Sequence, residues 1–163
     1  DLFSAYRMAE YTYEALSQYA LQAMEDVRQH KVTKAVEDVT FINMAVTGVL
    51  SNTTRSFKQS ALAHAVDYAI RTYFPQESRD ALHGEAVAVG LFLQLYYNQQ
   101  AEQIPPLKDF MRKMEMPLTL DALGVPSTDE NLQILEDYLI ETSRVGEDAA
   151  SRARLHEALR QLR

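Results

Sequence analysis

Residues 83–97 read HGEAVAVGLFLQLYY, and this apolar stretch decides the fold class. Its side chains are apolar on nearly every face, whereas a helix at a protein surface keeps a polar stripe toward water. We therefore predict that His83–Tyr97 is the most buried helix of a helical bundle.

The segments before this helix repeat apolar residues every three or four positions, which predicts amphipathic helices. Such segments cover residues 2–27, 32–50 and 57–73. Turn-forming side chains at 51–54 are expected to separate the second from the third. The third is expected to stop at Phe74-Pro75, because a residue before proline is pushed out of the helical region.

The segments after the central helix carry recognisable helix signals. Pro105-Pro106 can open a helix that runs to about Met114, and a short turn over 119–123 is expected to end at Gly124. Ser127 and Glu130 have the spacing of a capping box. The sequence predicts two further helices, Glu130–Thr142 and Glu147–Leu162.

No stretch of six residues or more alternates with period two, so strands are not expected. The sequence thus predicts an all-α, multi-helix bundle of about seven helices, forming a single helical domain over residues 1–163.

The composition excludes several functional classes. The chain has 163 residues and a net charge of −7, which disfavours a general nucleic-acid binder or a polybasic membrane-surface module. It has no cysteine, so disulfides, thiolate catalysis and cysteine-ligated metal sites are excluded. We expect a protein that binds neither nucleic acid nor membrane, in a reducing compartment such as the cytoplasm.

Two of the four histidines are candidate metal ligands. His30 and His156 lie among polar residues, where we expect them to be exposed and idle. His64 and His83 can face one another, because residues 74–82 are long enough for the chain to double back. Two neutral imidazoles suit zinc or ferrous iron. The alternative is that His64 is a core histidine and His83 a helix-capping one.

A third metal ligand is not evident from spacing. Asp67, Glu85 and Asp1 are the candidates, and Asp67 is three residues from His64 on the same predicted helix. Arg55 and Lys58 flank the loop that leads to His64 and could bind an anion, although a solvated loop end is the simpler interpretation. The five glycines are too scattered to form a phosphate-binding loop.

The segments His64-Ala65-Val66 and His83-Gly84-Glu85-Ala86-Val87-Ala88-Val89-Gly90 resemble the iron-containing alcohol dehydrogenase superfamily. That group includes glycerol dehydrogenases and dehydroquinate synthases, and the resemblance to the glycerol dehydrogenase branch extends over most of the chain.

The resemblance implies a two-domain enzyme in which an N-terminal Rossmann-like domain binds NAD(P) and a C-terminal helical domain carries a catalytic metal. This chain resembles only the second, a dehydroquinate synthase-like C-terminal domain. The implied metal ligands are His64, His83 and an earlier aspartate, which a gapless alignment places upstream of Asp1 and a gapped one places at Asp1 itself.

The sequence departs from the family pattern in places that bear on the substrate. Residues 51–59 replace a glycine-rich stretch, and Asp67 replaces a second histidine. These departures argue against glycerol itself as the substrate. Arg55, Lys58 and Asp67 are candidate substrate contacts, and the added positive charge of Arg55 and Lys58 favours an anionic substrate such as a hydroxy acid. The histidine motif of dehydroquinate synthases is absent, with Ser60 in the place of its first histidine.

The function implied for the parent protein is metal-assisted hydride transfer between NAD(P) and a small alcohol, polyol or hydroxy acid, with Zn or Fe as the divalent metal. We also expect a homo-oligomer. The chain alone is predicted to be inactive and not to bind NAD(P). The alternatives are an inactive helical fragment or interaction module, or a dehydroquinate synthase-like lyase domain.

Overall fold

The computed structural model describes residues 2–54, 61–143 and 145–163, and every regular element in these ranges is helical, as predicted. The described α-helices are α1 (Leu2–Arg28), α2 (Lys34–Phe41), α3 (Thr47–Thr54), α4 (Leu62–Tyr73), α5 (His83–Tyr97), α6 (Ile104–Lys113), α7 (Asp129–Thr142) and α8 (Ala149–Leu159). Short 3-10 turns occupy Ala101–Gln103, Asp121–Leu123 and Arg160–Leu162. None of the helices in the described ranges combines the length and the apolar character that crossing a bilayer requires.

The chain divides into two compact units, Asp1–Gln59 and Ser60–Arg163. The single helical domain over residues 1–163 stays a prediction, and the sequence analysis did not anticipate this division. Helices α1 to α3 belong to the first unit, and α4 to α8 belong to the second.

In the first unit, a buried carboxylate joins the end of α1 to the start of α2. The Oδ2 of Asp26 accepts a hydrogen bond from the Thr33 hydroxyl at 2.6 Å, and its Oδ1 accepts one from Gln22 at 2.8 Å. These hydrogen bonds hold the pKa of Asp26 below its ordinary value. Thr33 also caps α2 through Val36 N, so one residue fixes both sides of the turn.

Helices α2 and α3 belong to one continuous helical segment, as predicted for residues 32–50, but the break predicted at 51–54 is wrong. A π-helical turn, Ile42–Val46, connects α2 to α3, and the helix then continues through the predicted break at 51–54. The side chains of Asn52, Thr53 and Thr54 hydrogen-bond to carbonyls four residues earlier. Turn-forming residues therefore stay helical here, because their polar groups find partners on the preceding turn.

The second unit is built around α5, whose bounds match the predicted His83–Tyr97. No residue from 85 to 97 is exposed, and Ala86, Val89, Phe92 and Leu93 are fully buried. Helix α4 nevertheless buries a larger share of its residues than α5 does. The two helices supply much of the apolar core of this unit.

The helix ends predicted for the second unit are confirmed, with small shifts in the exact residues. Helix α4 ends before Phe74, proline opens α6, and Gly124 has a φ of 89° after its turn. The predicted cap of α7 was wrong by one residue: Thr128 Oγ1 accepts from Asn131 N, whereas Ser127 bonds to Asp121. Of the third predicted helix, residues 57–60 lie outside the described residues.

Candidate metal centre

Helices α4 and α5 pack closely because of one glycine. A Cβ atom at Gly90 would lie 2.6 Å from the carbonyl oxygen of Ala63 and 2.9 Å from its Cα atom. Both distances are well inside van der Waals contact, so only glycine allows the two backbones to approach this closely. The residue that follows Ala63 is His64.

A side chain of α5 also caps the first turn of α4. The residue at the N-terminus of α4, Ala61, provides no side-chain hydrogen bond. Instead, the Oε1 atom of Gln94 accepts a hydrogen bond from the backbone N–H of Ala63 at 3.2 Å. This bond satisfies one of the N–H groups that lack a partner at a helix start. Two contacts from α5 thus fix the backbone beside His64.

The antiparallel packing of α4 and α5 brings His64 and His83 together. Their ring centroids are 5.6 Å apart and the ring planes are tilted by 54°. Both residues are exposed, and the side chain of His83 is 60% accessible. The sequence prediction that the two histidines face one another is therefore confirmed, and neither is a core histidine. Their role as metal ligands stays a prediction.

Asp67 lies beneath the histidine pair and is buried. Its Oδ2 atom is 2.9 Å from Nδ1 of His83, and its Oδ1 atom accepts a hydrogen bond from Nε of Arg71 at 3.3 Å. The Asp67 side chain is only 3% exposed. Both carboxylate oxygens are thus occupied by protein partners. Direct contact between Asp67 and a metal or substrate stays a prediction.

Arg71 is a residue of this site that the sequence analysis missed. Besides its bond to Asp67, its guanidinium group donates to the carbonyl oxygens of Ser78 and Ala81, each at 2.8 Å. The available signal was the four-residue spacing of Asp67 and Arg71, which places an acid and a base on one helical face. The same guanidinium therefore contacts both α4 and the loop that leads into α5.

Glu85 has a structural role at the start of α5. Its Oε2 atom accepts a hydrogen bond from the backbone N–H of Leu82 at 2.9 Å. Across residues 2–54, 61–143 and 145–163, no three His, Asp or Glu side chains form a group that could hold a metal ion. Four residues singled out from the sequence, Asp1, Arg55, Lys58 and Ser60, lie outside the described residues.

The remaining histidines differ from one another. His30 is exposed at the end of α1, with a φ of 56°. His156, which was expected to be idle, lies 2.9 Å through Nδ1 from Oε2 of the buried Glu136. These two residues are 20 positions apart, which is why no local pattern pointed to the pair.

The chain is similar to known proteins both in sequence and in structure. No family model matches the chain. The chain is 28% identical to a glycerol dehydrogenase of Thermotoga maritima over 133 residues, 79% of this chain. It is 32% identical to glycerol dehydrogenase 1 of Schizosaccharomyces pombe over 123 residues, and 26% identical to a glycolaldehyde reductase of Halobacterium salinarum over 130 residues.

Solved structures give the same result over nearly the whole chain. A glycerol dehydrogenase structure from Schizosaccharomyces pombe matches with a TM-score of 0.78 and 25% identity, covering 98% of this chain and 41% of that one. A probable glycerol dehydrogenase structure from Sinorhizobium meliloti has the same TM-score at 20% identity, which supports the fold alone. The matches cover 34%, 33% and 26% of the curated relatives named above, so the chain spans about a third of their length or less.

Proposed function

This chain is a relative of the glycerol dehydrogenases in the iron-containing alcohol dehydrogenase family, and from that premise we propose that it is the metal-binding helical part of an NAD(P)-dependent alcohol or polyol dehydrogenase. The observation that carries the proposal is the pair of exposed imidazoles, His64 from α4 and His83 from α5, whose rings lie 5.6 Å apart. An exposed pair of this kind is open both to a metal ion and to a substrate.

The donor chemistry of the pair suits a divalent zinc or iron ion. Neutral imidazole is a common ligand for both metals. With Nδ1 of His83 turned toward Asp67, its Nε2 atom is the nitrogen available for a ligand bond. A catalytic metal of this type normally has three protein ligands. We propose that the third is an aspartate outside the described residues, as the family resemblance implies.

In the proposed reaction, His64 and His83 would hold the metal, which would act as a Lewis acid toward the substrate hydroxyl group. Their exposure leaves that face accessible to the substrate. The NAD(P) cofactor would be bound by another part of the parent protein, because the five glycines of this chain form no phosphate-binding motif.

Among the alcohols and polyols, we propose a hydroxy acid as the substrate. Arg55 and Lys58 precede α4 in the sequence, and the positive charge that they add favours a substrate with a carboxylate group. Asp67, the third candidate substrate contact, has both oxygens bonded to protein groups. We therefore propose that it acts on the site through His83. A cytoplasmic location and a homo-oligomeric assembly stay predictions.

The test is a comparison of His64→Ala and His83→Ala variants of the parent protein. We expect both variants to lose the bound metal, measured by plasma emission spectroscopy, and to lose turnover with it. His30→Asn is the matched control, because this histidine is exposed and far from the pair along the chain, and asparagine tolerates its positive φ. If both alanine variants keep metal and the wild-type rate, the two histidines are structural and the proposal is wrong.

A further inference from the structure

We infer that Asp67 and Arg71 are positioning residues that keep the ring proton of neutral His83 on Nδ1, so that Nε2 presents its lone pair to a cation. The inference rests on the proposed function, and it assigns a role to two residues that touch no ligand themselves. Three features support it: the direction of the hydrogen bond between His83 and Asp67, the anchoring of Arg71, and the burial of Asp67.

The polarity of the contact follows from which groups can donate. Arginine carries only donors, so Oδ1 of Asp67 must accept from Nε of Arg71. The permanently charged guanidinium also needs a counter-charge, which the carboxylate provides. Its second oxygen, Oδ2, is then an acceptor as well, and it lies 2.9 Å from Nδ1 of His83. The ring must donate from Nδ1, which leaves Nε2 unprotonated in the neutral imidazole.

The anchoring of Arg71 ties this contact to the position of the helix start. The guanidinium donates to the carbonyl oxygens of Ser78 and Ala81, and Ala81 lies two residues before His83. The bond to Ala81 limits the position of the backbone at the start of α5. The bond to Asp67 orients the carboxylate that accepts the hydrogen bond from the His83 ring. The connection between α4 and α5 is therefore held in a position that orients Nδ1 of His83 toward Asp67.

The burial of Asp67 makes the contact strong. Its side chain is 3% exposed, whereas the His83 side chain is 60% exposed. The Nδ1 side of the ring thus meets a dry, charged acceptor, and electrostatic hydrogen bonds are stronger where water is excluded. The exposure of the His83 side chain leaves Nε2 open to a ligand. A carboxylate behind a metal-ligating histidine is a general way to orient it and raise its basicity.

The test uses the variant Asp67→Asn in the full chain. The amide oxygen must face the donor Arg71, so the amide NH₂ group would face His83. Nδ1 of His83 would then have to accept a hydrogen bond from this group. The ring proton should then move to Nε2, and affinity for the metal should fall by about 10- to 100-fold, as is typical for loss of such a partner.

Two measurements are made on the metal-free and metal-titrated chain. Nitrogen-15 NMR at a pH at which histidine is neutral reports the tautomer of His83 directly, and titration with Co²⁺ or Zn²⁺ reports affinity. Asp80→Asn is the matched control, because it makes the same change at an exposed aspartate in the loop between α4 and α5, whose side chain pairs with Arg79. The control should keep both the tautomer and the affinity.

The outcomes separate this inference from the proposed function. A wild-type His83 with its proton on Nε2 overturns the inference, and so does an Asp67→Asn variant with unchanged tautomer and affinity. If Asp67→Asn does not fold, the wild-type tautomer decides alone. If the tautomer moves as expected but the parent protein and the chain bind no metal, the positioning role stands and the proposed function fails.

Discussion

Asp148 shows how a single side chain sets both a helix boundary and a pH response. It caps α8 by accepting hydrogen bonds from the hydroxyl and the backbone N–H of Ser151, at 2.7 and 2.9 Å. These bonds, the hydroxyl first, hold the pKa of Asp148 below its ordinary value of 3.8. The cap also explains why α8 begins at Ala149 and not at the predicted Glu147.

We predict that this carboxylate stabilises the folded chain above pH 3.8 and that the stabilisation is lost as the pH falls through the folded pKa. The sign follows because the unfolded state binds the proton more readily than the folded state. Carbon-13 NMR of the carboxyl group should give a midpoint below 3.8 for Asp148. Ser151→Ala should raise that midpoint, whereas Thr142→Ala, whose hydroxyl bonds to a carbonyl, should leave it unchanged.

The residues of the candidate site were only partly predictable from sequence. His64 and His83 were found because the chemistry of histidine and the loop length allowed them to meet. The roles of Asp67 and Arg71 depend on which atoms meet across three chain segments, and residue spacing does not contain that information. Gln94 was missed for the same reason, because its capping bond joins residues 31 positions apart.

At the scale of elements, the contact between Gly90 and Ala63 makes a sharp prediction. Gly90→Ala should lower the free energy of unfolding by about 1–3 kcal/mol, the usual range for overpacking, because the new Cβ atom would overlap backbone atoms of α4. It should also weaken metal binding, since the displaced backbone carries His64. Denaturant titration measures the first effect and Co²⁺ titration the second.

Gly84→Ala is the matched control for that prediction. A Cβ atom at Gly84 meets nothing within 4 Å, and Gly84 lies in the first turn of the same helix. Alanine there should raise the free energy of unfolding by about 0.4–1 kcal/mol, because it restricts the unfolded chain. Equal effects of the two substitutions would show that helix propensity, and not close packing, governs position 90.

Element boundaries were predicted well where the backbone itself enforces them. Proline stops α4 and opens α6, and Gly124 ends a turn with a positive φ, because these residues restrict or permit specific backbone angles. Boundaries that depend on hydrogen bonds were predicted less well. The polar run 51–54 stayed helical through bonds to preceding carbonyls, and Thr128 rather than Ser127 caps α7.

At the scale of the molecule, the all-α class was predictable and the division into two compact units was not. Apolar periodicity shows that a helix has a buried face, but it does not show which helices share that burial. The wholly apolar character of α5 was the informative exception, because a helix without a polar stripe has to be covered by its neighbours.

We predict that the chain by itself neither binds NAD(P) nor oxidises alcohols. Its five glycines occur singly, at positions 48, 84, 90, 124 and 146, so no glycine-rich loop places a helix N-terminus against a pyrophosphate. Isothermal titration calorimetry with NAD and NADP should detect no binding, with the parent protein as the positive control. Micromolar affinity in the chain would contradict this prediction.

Gly90 and Gln94, the two residues of α5 that contact Ala63, should differ in whether a second mutation can compensate for their loss. The Gly90 contact is with main-chain atoms of Ala63, so no replacement of a neighbouring side chain can make room for a larger residue. In a selection for restored function, defects at position 90 should revert only at that codon or through shifts of a whole helix. A defect at Gln94 is different, because Gln94 replaces a cap that the N-cap residue of α4 does not provide. That residue is Ala61, which has an extended backbone conformation and makes no side-chain hydrogen bond. Serine or aspartate at that position would supply the missing acceptor, so second-site suppressors of Gln94 mutations should map to codon 61.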